Sequence, residues 1–337
     1  MEISNETWQS FLTTQSKANI FHHPAWSNLI ANCYGYRPFI AAVYGSGGEI
    51  KAGLPMIEIS QPFSGLRWVS LPFTDHCAPL YVDQDSLRDL LENIHKASRE
   101  RGVSALEYRW NHSFDNALSE NPDYFLHTIP LSQDFHLVQS RFHAMHRRNA
   151  VTAQKRGIRI EYGNDIADLK DFYKIHVQTR RRQGVPVQPY RFFELIWKHL
   201  FELDLGFVMK AYQNSNCLAA AVFLKFNQTI TYKYGASLQE GLSLRPNDLL
   251  FSTSIQWACE NGFTLFDLGR TDIDNPGLCR FKKGWGADEM PLNYYNIPQK
   301  STQPIPGNLM KIMKPIIQKS PLWVCQFTGE LLYKYVG

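Results

Sequence analysis

The segment NDLLFSTSIQWACENGFTLFDLGR, residues 247–270, decides the fold because its pattern occurs twice in the chain. It predicts a helix that ends at Gly262, a residue suited to the left-handed position after a helix, followed by a strand. The earlier copy is SLRDLLENIHKASRERGVSALEYRW, residues 86–110, whose helix ends at Gly102. Each helix also carries a Leu-Leu pair near its start. This repetition indicates two copies of one structural unit.

The sequence before each copy repeats as well. Residues 37–60 and 206–227 each read as a β-hairpin, and a third β-rich run follows at 66–73 and 229–237. Helical sequence precedes both hairpins. The order predicts an α/β (α+β) fold of tandem duplicated units, each a mixed, mostly antiparallel sheet flanked by helices. We expect the two units to face each other across a cleft.

The expected boundaries are residues 1–135 for the first unit, 136–300 for the second, which carries the main motifs, and 301–337 for a tail. The tail is interrupted by prolines and rich in Met, Ile, Leu and Trp, so we expect it to pack back on the first unit. Its lysines alternate with aromatic residues, a composition that also suits peripheral contact with an anionic membrane surface.

Composition excludes several classes of protein. With 44% hydrophobic residues in 337, the chain is not disordered, and no run of about 18 apolar residues predicts a membrane span. The polar, acidic N-terminus does not resemble a signal peptide. Six scattered cysteines, without a C-x-x-C pair or metal-ligand spacing, predict reduced thiols in a cytoplasmic protein and no metal site.

A basic stretch without Asp or Glu runs from residue 135 to 160. Uncompensated cations of this kind favour an anionic partner, such as an RNA or a phosphate-bearing substrate, and we select Arg147 and Arg148 as binding residues. DNA is not expected as a partner. The alternative is a solvated surface balanced by acidic residues elsewhere in the fold.

Two further positions are candidates for contact with substrate. The strand TITYKYGAS places Tyr232 and Tyr234 on one face by its period of two, where they could orient an attacking amine. Packing in the core is the alternative for at least one of them. Asp75 follows a predicted strand and could line a cleft, although a turn cap explains it equally well.

The motif RFKKGWG, residues 280–286, lies between two predicted strands and reads as a loop. It could be a solvated turn, or a site where a cation stands beside an aromatic wall. In the second case Phe281 and Trp285 would exclude water and strengthen the electrostatic effect of Lys282, while Lys283 would face solvent.

These motifs together resemble the FemABX-like branch of the GNAT superfamily. The resemblance rests on RRNAVTAQKRGIRI (147–160), YKYGAS (232–237), PNDLLFSTSIQWACENGFTLFDLGR (246–270) and RFKKGWG, and it covers about residues 130 to 297. The family contains non-ribosomal peptidyl and aminoacyl transferases and related acyltransferases of cell-envelope or exopolysaccharide synthesis. The order of elements in each unit is also that of the GNAT acyltransferase fold.

The resemblance implies that Lys282 lies where substrate phosphate and the reacting carbonyl are handled, with Tyr232 and Tyr234 as the other catalytic candidates. One departure concerns substrate identity. Where the family often has Asp-Phe-Gly-Gly, this chain has Asp267-Leu268-Gly269-Arg270, so Arg270 adds a cation to the expected substrate site. The long helical-hairpin arm of some family members is absent from the sequence.

The predicted function is transfer of an aminoacyl or acyl group from an activated donor to an amine of a cell-envelope or related precursor, without a tightly bound cofactor. Aminoacyl-tRNA is the favoured donor, since neither loop before the repeated helices is rich in the glycines that would hold the pyrophosphate of CoA. An acyl-CoA-dependent N-acyltransferase of polysaccharide or small-molecule biosynthesis is the alternative. A non-catalytic scaffold on the same fold is a second one. The expected location is the cytoplasm, including the inner face of the membrane.

Overall fold

The computed structural model describes residues 5–61, 65–111, 122–297 and 307–335. Its helices, in chain order, are α1 (Asn5–Thr14), α2 (Pro24–Tyr34), α3 (Gln84–Glu100), α4 (Phe135–Ser140), α5 (Ala144–Lys155), α6 (Ile166–Gln183), α7 (Tyr190–His199), α8 (Pro246–Glu260), α9 (Pro276–Gly284), α10 (Gly307–Lys319) and α11 (Leu322–Leu332). Its strands are β1 (Arg37–Tyr44), β2 (Ile50–Gln61), β3 (Gly65–Val69), β4 (Leu80–Tyr81), β5 (Ala105–Tyr108), β6 (Tyr124–Pro130), β7 (Ile158–Gly163), β8 (Gly206–Gln213), β9 (Asn216–Phe226), β10 (Thr229–Ser237), β11 (Leu265–Asp272), β12 (Asp288–Leu292) and β13 (Tyr295–Ile297).

The chain divides into two compact units. The first comprises Met1–Leu126, Arg270–Asp274 and Met290–Thr302, and the second comprises His127–Gly269, Asn275–Glu289 and Gln303–Gly337. The boundary expected at residue 135 therefore differs from the observed division, because two later segments complete the first unit.

The first unit is built on a sheet with the strand order β1-β2-β3-β5-β13, and β4 pairs with β2. β3 and β5 are parallel, whereas β1, β2, β3 and β4 pair antiparallel, as does β13 with β5. Helices α1 and α2 contribute fully buried tryptophans to its core, Trp8 and Trp26. Gly53 on β2 makes room for this packing, because a Cβ there would lie 2.4 Å from the Trp8 ring.

The second sheet has the strand order β12-β6-β11-β10-β9-β8-β7. β7, β8, β9 and β10 form an antiparallel meander, and β10 then pairs in parallel with β11. That parallel ladder covers only Thr229–Thr231 against Leu265–Asp267, although both strands continue further. Beyond Thr231 and Asp267 the two strands are therefore no longer paired with each other.

The repeat predicted from residues 86–110 and 247–270 is confirmed. Each unit has a hairpin, a third strand, a helix and a fourth strand parallel to the third, so the mixed α/β architecture holds for both. The glycines after the repeated helices have the expected left-handed backbone, with φ of 68° at Gly102 and 77° at Gly262. A side chain would be strained at both positions.

The tail packs on the second unit, so its expected packing on the first unit is wrong. Both α10 and α11 contact α6. The Gln318 amide donates to the carbonyl of Arg182 at 2.9 Å. Gly329 allows close approach, because a Cβ there would meet the carbonyl oxygen of Val187. The tail thus packs against α6, a surface that the sequence pattern did not identify.

Candidate functional site

The motif RFKKGWG lies largely in a helix, and its interpretation as a loop is wrong. Asn275 caps α9 by accepting a hydrogen bond from the Leu278 amide at 3.1 Å, and Pro276 occupies the first helical position. Pro suits that position because its missing N–H would have had no partner within the helix. The helix ends at Gly284, and Gly286 follows with a positive φ of 75°. Lys282 and Lys283 thus belong to its last turn, where cations are favoured by the helix dipole.

The side chains of the two lysines have opposite environments. Lys282 is 4% exposed, and its Nζ donates to the carbonyl oxygen of Gly269 at 3.0 Å. Gly269 adopts a positive φ of 69°, and its N–H donates to Oδ1 of Asp267 at 2.7 Å. Lys283 has a side chain that is 55% exposed and lies 3.3 Å from Glu289. The buried ammonium therefore lies where β11 has separated from β10.

An aromatic cluster surrounds this turn of α9. Phe281 contacts the rings of His146 and Phe251 edge-on, with centroids 5.5 and 5.2 Å apart. Trp285 is completely buried and stacks on His146 at 4.6 Å and on Phe251 at 5.4 Å. Its Nε1 has no hydrogen-bond partner among the described residues. Trp285 thus belongs to the same aromatic cluster as Phe281.

A buried histidine–aspartate pair, which sequence reasoning missed, packs against the rings of this cluster. Nδ1 of His146, on α5, donates to Oδ1 of Asp248, on α8, at 2.6 Å, and Asn149 donates to the other carboxylate oxygen at 3.2 Å. Gly284 fits against the same ring, because a Cβ there would lie 2.5 Å from Nε2 of His146. Gly284, directly after the two lysines, was the available sequence signal for this pair, since a glycine can mark a position where another group approaches the backbone closely.

Tyr232 and Tyr234 lie on different faces of the sheet, so their expected placement on one face is wrong. A bulge between them shifts the register, with Tyr232 opposite Phe223 and Tyr234 opposite Val222. Tyr232 packs against Phe251 of α8 at 4.7 Å, whereas Tyr234 packs on the side of α6 and α7. An extra residue in one strand reverses the alternation beyond it. Burial raises the pKa of Tyr232, which keeps its phenol protonated.

The two arginines of the basic stretch differ in what they bind. Nη1 of Arg147 donates to three carbonyl oxygens at the end of α4, the shortest bond being 2.8 Å to Phe142. The Gln139 carbonyl also accepts from the Phe142 amide at 3.0 Å, and Arg147 adds a side-chain cap at this C-terminal end of α4. Arg148 is exposed on α5. Of the two, Arg148 is the better placed to meet an external anion.

Arg270 and Asp75 belong to the first unit, where the fold brings them into one cluster. The guanidinium of Arg270 stacks over the rings of Tyr124 and Tyr294, at 4.2 and 5.0 Å from their centroids. The Tyr294 hydroxyl donates to the carbonyl oxygen of Asp75 at 2.7 Å. Burial alone would lower the pKa of Arg270, but the surrounding tyrosine and aspartate side chains raise it. Arg270 therefore remains a cation.

One group of side chains could offer metal-ligating atoms. His127, Cys279 and Glu289 have ligand atoms within 4.8 Å of one another. Burial and the cation of Lys282 lower the pKa of His127, and burial raises that of Cys279. Glu289 is already within 3.3 Å of Lys283 and 3.0 Å of His127. Two lysines beside three ligands oppose a divalent cation, and we assign no metal to this group.

The N-termini of the repeated helices already carry carboxylates. In the first turn of α8, Pro246 has no N–H, and Asp248 is buried with His146 as its partner. At α3, Asp83 caps the helix by accepting from the Ser86 amide at 2.8 Å, and this hydrogen bond lowers the pKa of its carboxyl group. A helix N-terminus attracts an anion through free N–H groups and a positive dipole end. Both ends are therefore poor sites for a pyrophosphate.

Comparisons with known proteins agree with this geometry. Residues 140–283 match the acetyltransferase (GNAT) domain family. The lipid II:glycine glycyltransferase of Staphylococcus aureus is 34% identical over 90 residues, which are 25% of this chain and 21% of that protein. The crystal structure of FemX has a TM-score of 0.72 at 18% identity, covering 88% of this chain and 96% of that one. Residues 140–283 are thus similar to a GNAT domain, and the fold of the chain is similar to that of FemX.

A second solved structure supports the duplicated architecture of this chain. It is a tandem GNAT protein from the clavulanic acid biosynthesis pathway, with a TM-score of 0.52 at 12% identity, covering 87% of this chain and 95% of that one. At such identities the likeness concerns the fold alone. The aligned stretch spans about a fifth of the length of the glycyltransferase. The matched GNAT domain contains β10, α8 and most of α9, including Lys282.

Proposed function

We propose that this protein transfers an aminoacyl group from aminoacyl-tRNA to an amine of a cell-envelope precursor. The observation that carries the proposal is the buried ammonium of Lys282, hydrogen-bonded to Gly269 beside the aromatic ring of Phe281, within the region that matches a GNAT domain. A fixed cation in a water-poor site is suited to stabilising negative charge on a carbonyl oxygen.

The chemistry needs no covalent enzyme intermediate. The acceptor amine attacks the ester carbonyl of the donor, and negative charge develops on the carbonyl oxygen. The bond from the carbonyl carbon to the ribose oxygen then breaks as the amide forms, and the proton lost by the amine passes to the departing ribose oxygen. Lys282 would stabilise the developing oxyanion. Tyr232, on the same side of the sheet as Phe251 and Phe281, would act with it as a neutral hydrogen-bond donor, whereas Tyr234 faces α6 and α7.

The cysteines favour direct transfer over a thioester intermediate. Burial raises the pKa of Cys77, Cys217, Cys259, Cys279 and Cys325. A thiol is nucleophilic as its thiolate, so a raised pKa leaves little of the reactive form at neutral pH.

The helix N-termini support the choice of donor. Asp248 in the first turn of α8 and Asp83 at the cap of α3 place carboxylates where the pyrophosphate of CoA would need N–H groups. Exposed Arg148 on acid-free α5 would instead meet the phosphates of a tRNA. We propose the acceptor by analogy with the similar lipid II:glycine glycyltransferase.

A CoA-dependent N-acyltransferase is the second candidate, favoured by the description of the matching family as an acetyltransferase domain. The two are separated by incubating the protein with a lipid II-type acceptor and either radiolabelled aminoacyl-tRNAs or labelled acetyl-CoA. We expect label in the acceptor only with the charged tRNAs. Transfer from acetyl-CoA alone, with micromolar binding in calorimetry, would reverse the choice of donor. Transfer from neither, with the acceptor still bound, would leave a non-catalytic scaffold.

We propose that the second of the tail helices contacts the membrane that carries such an acceptor. Trp323, Phe327 and Leu331 are four residues apart on α11 and are 69%, 60% and 54% exposed. No helix in the described ranges is long and apolar enough to cross a bilayer, so contact would be peripheral. Flotation with vesicles containing phosphatidylglycerol should carry the protein, and Trp323→Ser with Phe327→Ser should abolish it. Retention of the double variant would remove α11 from this role.

A further inference from the structure

Among the described residues, the sheet of the first unit has no counterpart of β7, the edge strand of the second sheet. In the second unit, β7 pairs along the outer side of β8, from Ile158 opposite Gln213 to Gly163 opposite Val208. β1 occupies the place of β8 in the first unit, as the first strand of the hairpin. Helices α1 and α2 precede β1, as α6 and α7 precede β8. Among the described residues, none pairs with the outer edge of β1.

Side-chain burial reflects this difference. The first six residues of β8, Gly206–Ala211, are all buried. The six inner residues of β1, Pro38–Val43, are all half-exposed, on both faces of the strand. The missing neighbour therefore leaves both faces of β1 partly uncovered.

The positions of two prolines establish which backbone groups this edge presents. Ile40 lies opposite Pro55 of β2, which has no N–H and cannot exchange both ladder bonds. Antiparallel pairs alternate between bonded and non-bonded, so Pro38 and Ala42 are non-bonded to β2 as well. Lys51 is four residues before Pro55, so its backbone groups point the same way as those of Pro55, away from β1. The Lys51 carbonyl accordingly accepts from the Val82 amide at 2.9 Å. The N–H and C=O groups of Ile40 and Ala42 thus point outward.

A cavity of about 640 Å³ encloses this edge. It is lined by consecutive residues of β1 from both faces and by side chains of α2 and α3, including Asn28 and Asn93. Its volume lies in the range of ligand sites, roughly 300–1,000 Å³. The groove is thus lined by the unpaired edge of β1 and by two helices.

The groove carries a positive charge. Arg101 donates to both oxygens of Glu58, at 2.6 and 3.0 Å, and Trp68 donates to the same carboxylate at 2.9 Å. The hydrogen bond from Arg101 lowers the pKa of Glu58. Arg37, with a side chain that is 63% exposed, lies 3.8 Å from this saturated carboxylate. Two guanidiniums against one carboxylate leave an excess of positive charge at Arg37.

We propose that this groove docks an extended acidic peptide segment of a partner, which adds to β1 as an antiparallel or parallel strand. Main-chain hydrogen bonds to Ile40 and Ala42 would supply affinity, and an acidic side chain beside Arg37 would supply specificity. A second copy of the chain fits less well, because edge-to-edge pairing would bring two positively charged grooves together.

The test uses the probe peptide acetyl-Val-Glu-Val-Thr-Val-amide and the full chain. We expect saturable amide shift changes in NMR, and slower hydrogen exchange, at Ile40 and Ala42. Methylation of peptide nitrogens is diagnostic, because only alternate N–H groups of a strand face β1. Methylation of the alternate nitrogens that face β1 should weaken binding at least about tenfold, since each lost hydrogen bond is worth up to about that factor. Methylation of the other nitrogens should leave binding unchanged.

Three protein variants complete the test. Ile40→Pro removes an outward N–H without removing a ladder bond, and should abolish binding, while Ile40→Val should retain it. Arg37→Gln should weaken the glutamate peptide several-fold and leave a lysine-substituted peptide unchanged. Equal effects of both methylation sets, or no binding at millimolar peptide, would overturn the proposal. Protection of Ile40 that rises with protein concentration, without peptide, would replace it with self-association.

Discussion

Nζ of Lys282 donates to the carbonyl oxygen of Gly269 at 3.0 Å, so the ammonium is held by β11 while its neighbour Lys283 faces solvent. If Lys282 stabilises the oxyanion, Lys282→Met should lower kcat about 10²–10³-fold with little change in KM. Lys283→Met is the matched control and should change either constant less than about twofold. Thermal unfolding of both variants would show whether the buried site still folds. Small, equal effects on kcat would remove Lys282 from catalysis.

The close approach of Gly284 to His146 gives a prediction about stability. Gly284→Ala should destabilise the protein by about 1–3 kcal/mol, because the new methyl would lie 2.5 Å from an imidazole that Asp248 and Trp285 hold in place. Gly277→Ala, in the same helix, meets its nearest atom at 3.8 Å and should be neutral or stabilising by up to about 1 kcal/mol. Denaturant unfolding measures both. Adding His146→Ala should recover part of the loss, and an unaltered loss would contradict the contact.

Arg148 should bind phosphate on a nucleic-acid donor. Arg148→Gln is expected to weaken tRNA binding and to reduce the slope of log affinity against log salt by about 1. Lys198→Gln, at an exposed position on α7, removes the same charge outside the basic stretch and should leave the slope unchanged. Filter binding at several salt concentrations distinguishes the two variants. An identical slope for wild type and Arg148→Gln would assign this residue to a structural surface.

His22 should make the stability of the first unit depend on pH. Burial lowers the pKa of His22 to about 4, and its Nδ1 accepts from the Asn19 amide while Nε2 donates to Ala78. A proton on Nδ1 would oppose that amide. Because the folded pKa lies below the unfolded value of about 6.5, stability is complete above pH 6.5 and is lost as pH falls towards 4.

The loss attributable to His22 is roughly 2–3 kcal/mol between pH 7 and 4.5. His22→Gln cannot titrate, so the difference in unfolding free energy between wild type and variant should shrink by that amount at pH 4.5. A difference that stays constant with pH would mean that the imidazole is not buried in its neutral form.

The elements that sequence could predict are those determined by local patterns. The two helix–strand repeats follow from apolar periodicity and from Gly102 and Gly262, which specify the ends of their helices within a few residues. The helix that carries Lys282 was missed because Lys-Lys-Gly suits a solvated turn and a helix C-terminus equally well. Only the cap at Asn275, five residues before the motif, distinguishes the two.

The remaining features depend on contacts between distant residues. His146 and Asp248 are 102 positions apart, and no sequence motif near either residue predicts that the two form a pair. The bulge at Tyr232 arises from the register that β10 adopts on β9, and a strict period of two cannot detect it. A single unpaired residue was enough to separate the two tyrosines that the sequence placed together.

The first unit owes one edge of its sheet to β13, whose residues Tyr295–Ile297 pair with β5. On the ribosome, β5 is therefore synthesised long before its partner. At about 5–20 residues per second, the intervening chain takes roughly 10–40 s to appear. Throughout that interval the edge of β5 that will pair with β13 is unpaired. Either a chaperone covers this edge or the first unit collapses slowly. The first unit is thus completed only after the described strands of the second sheet have been synthesised.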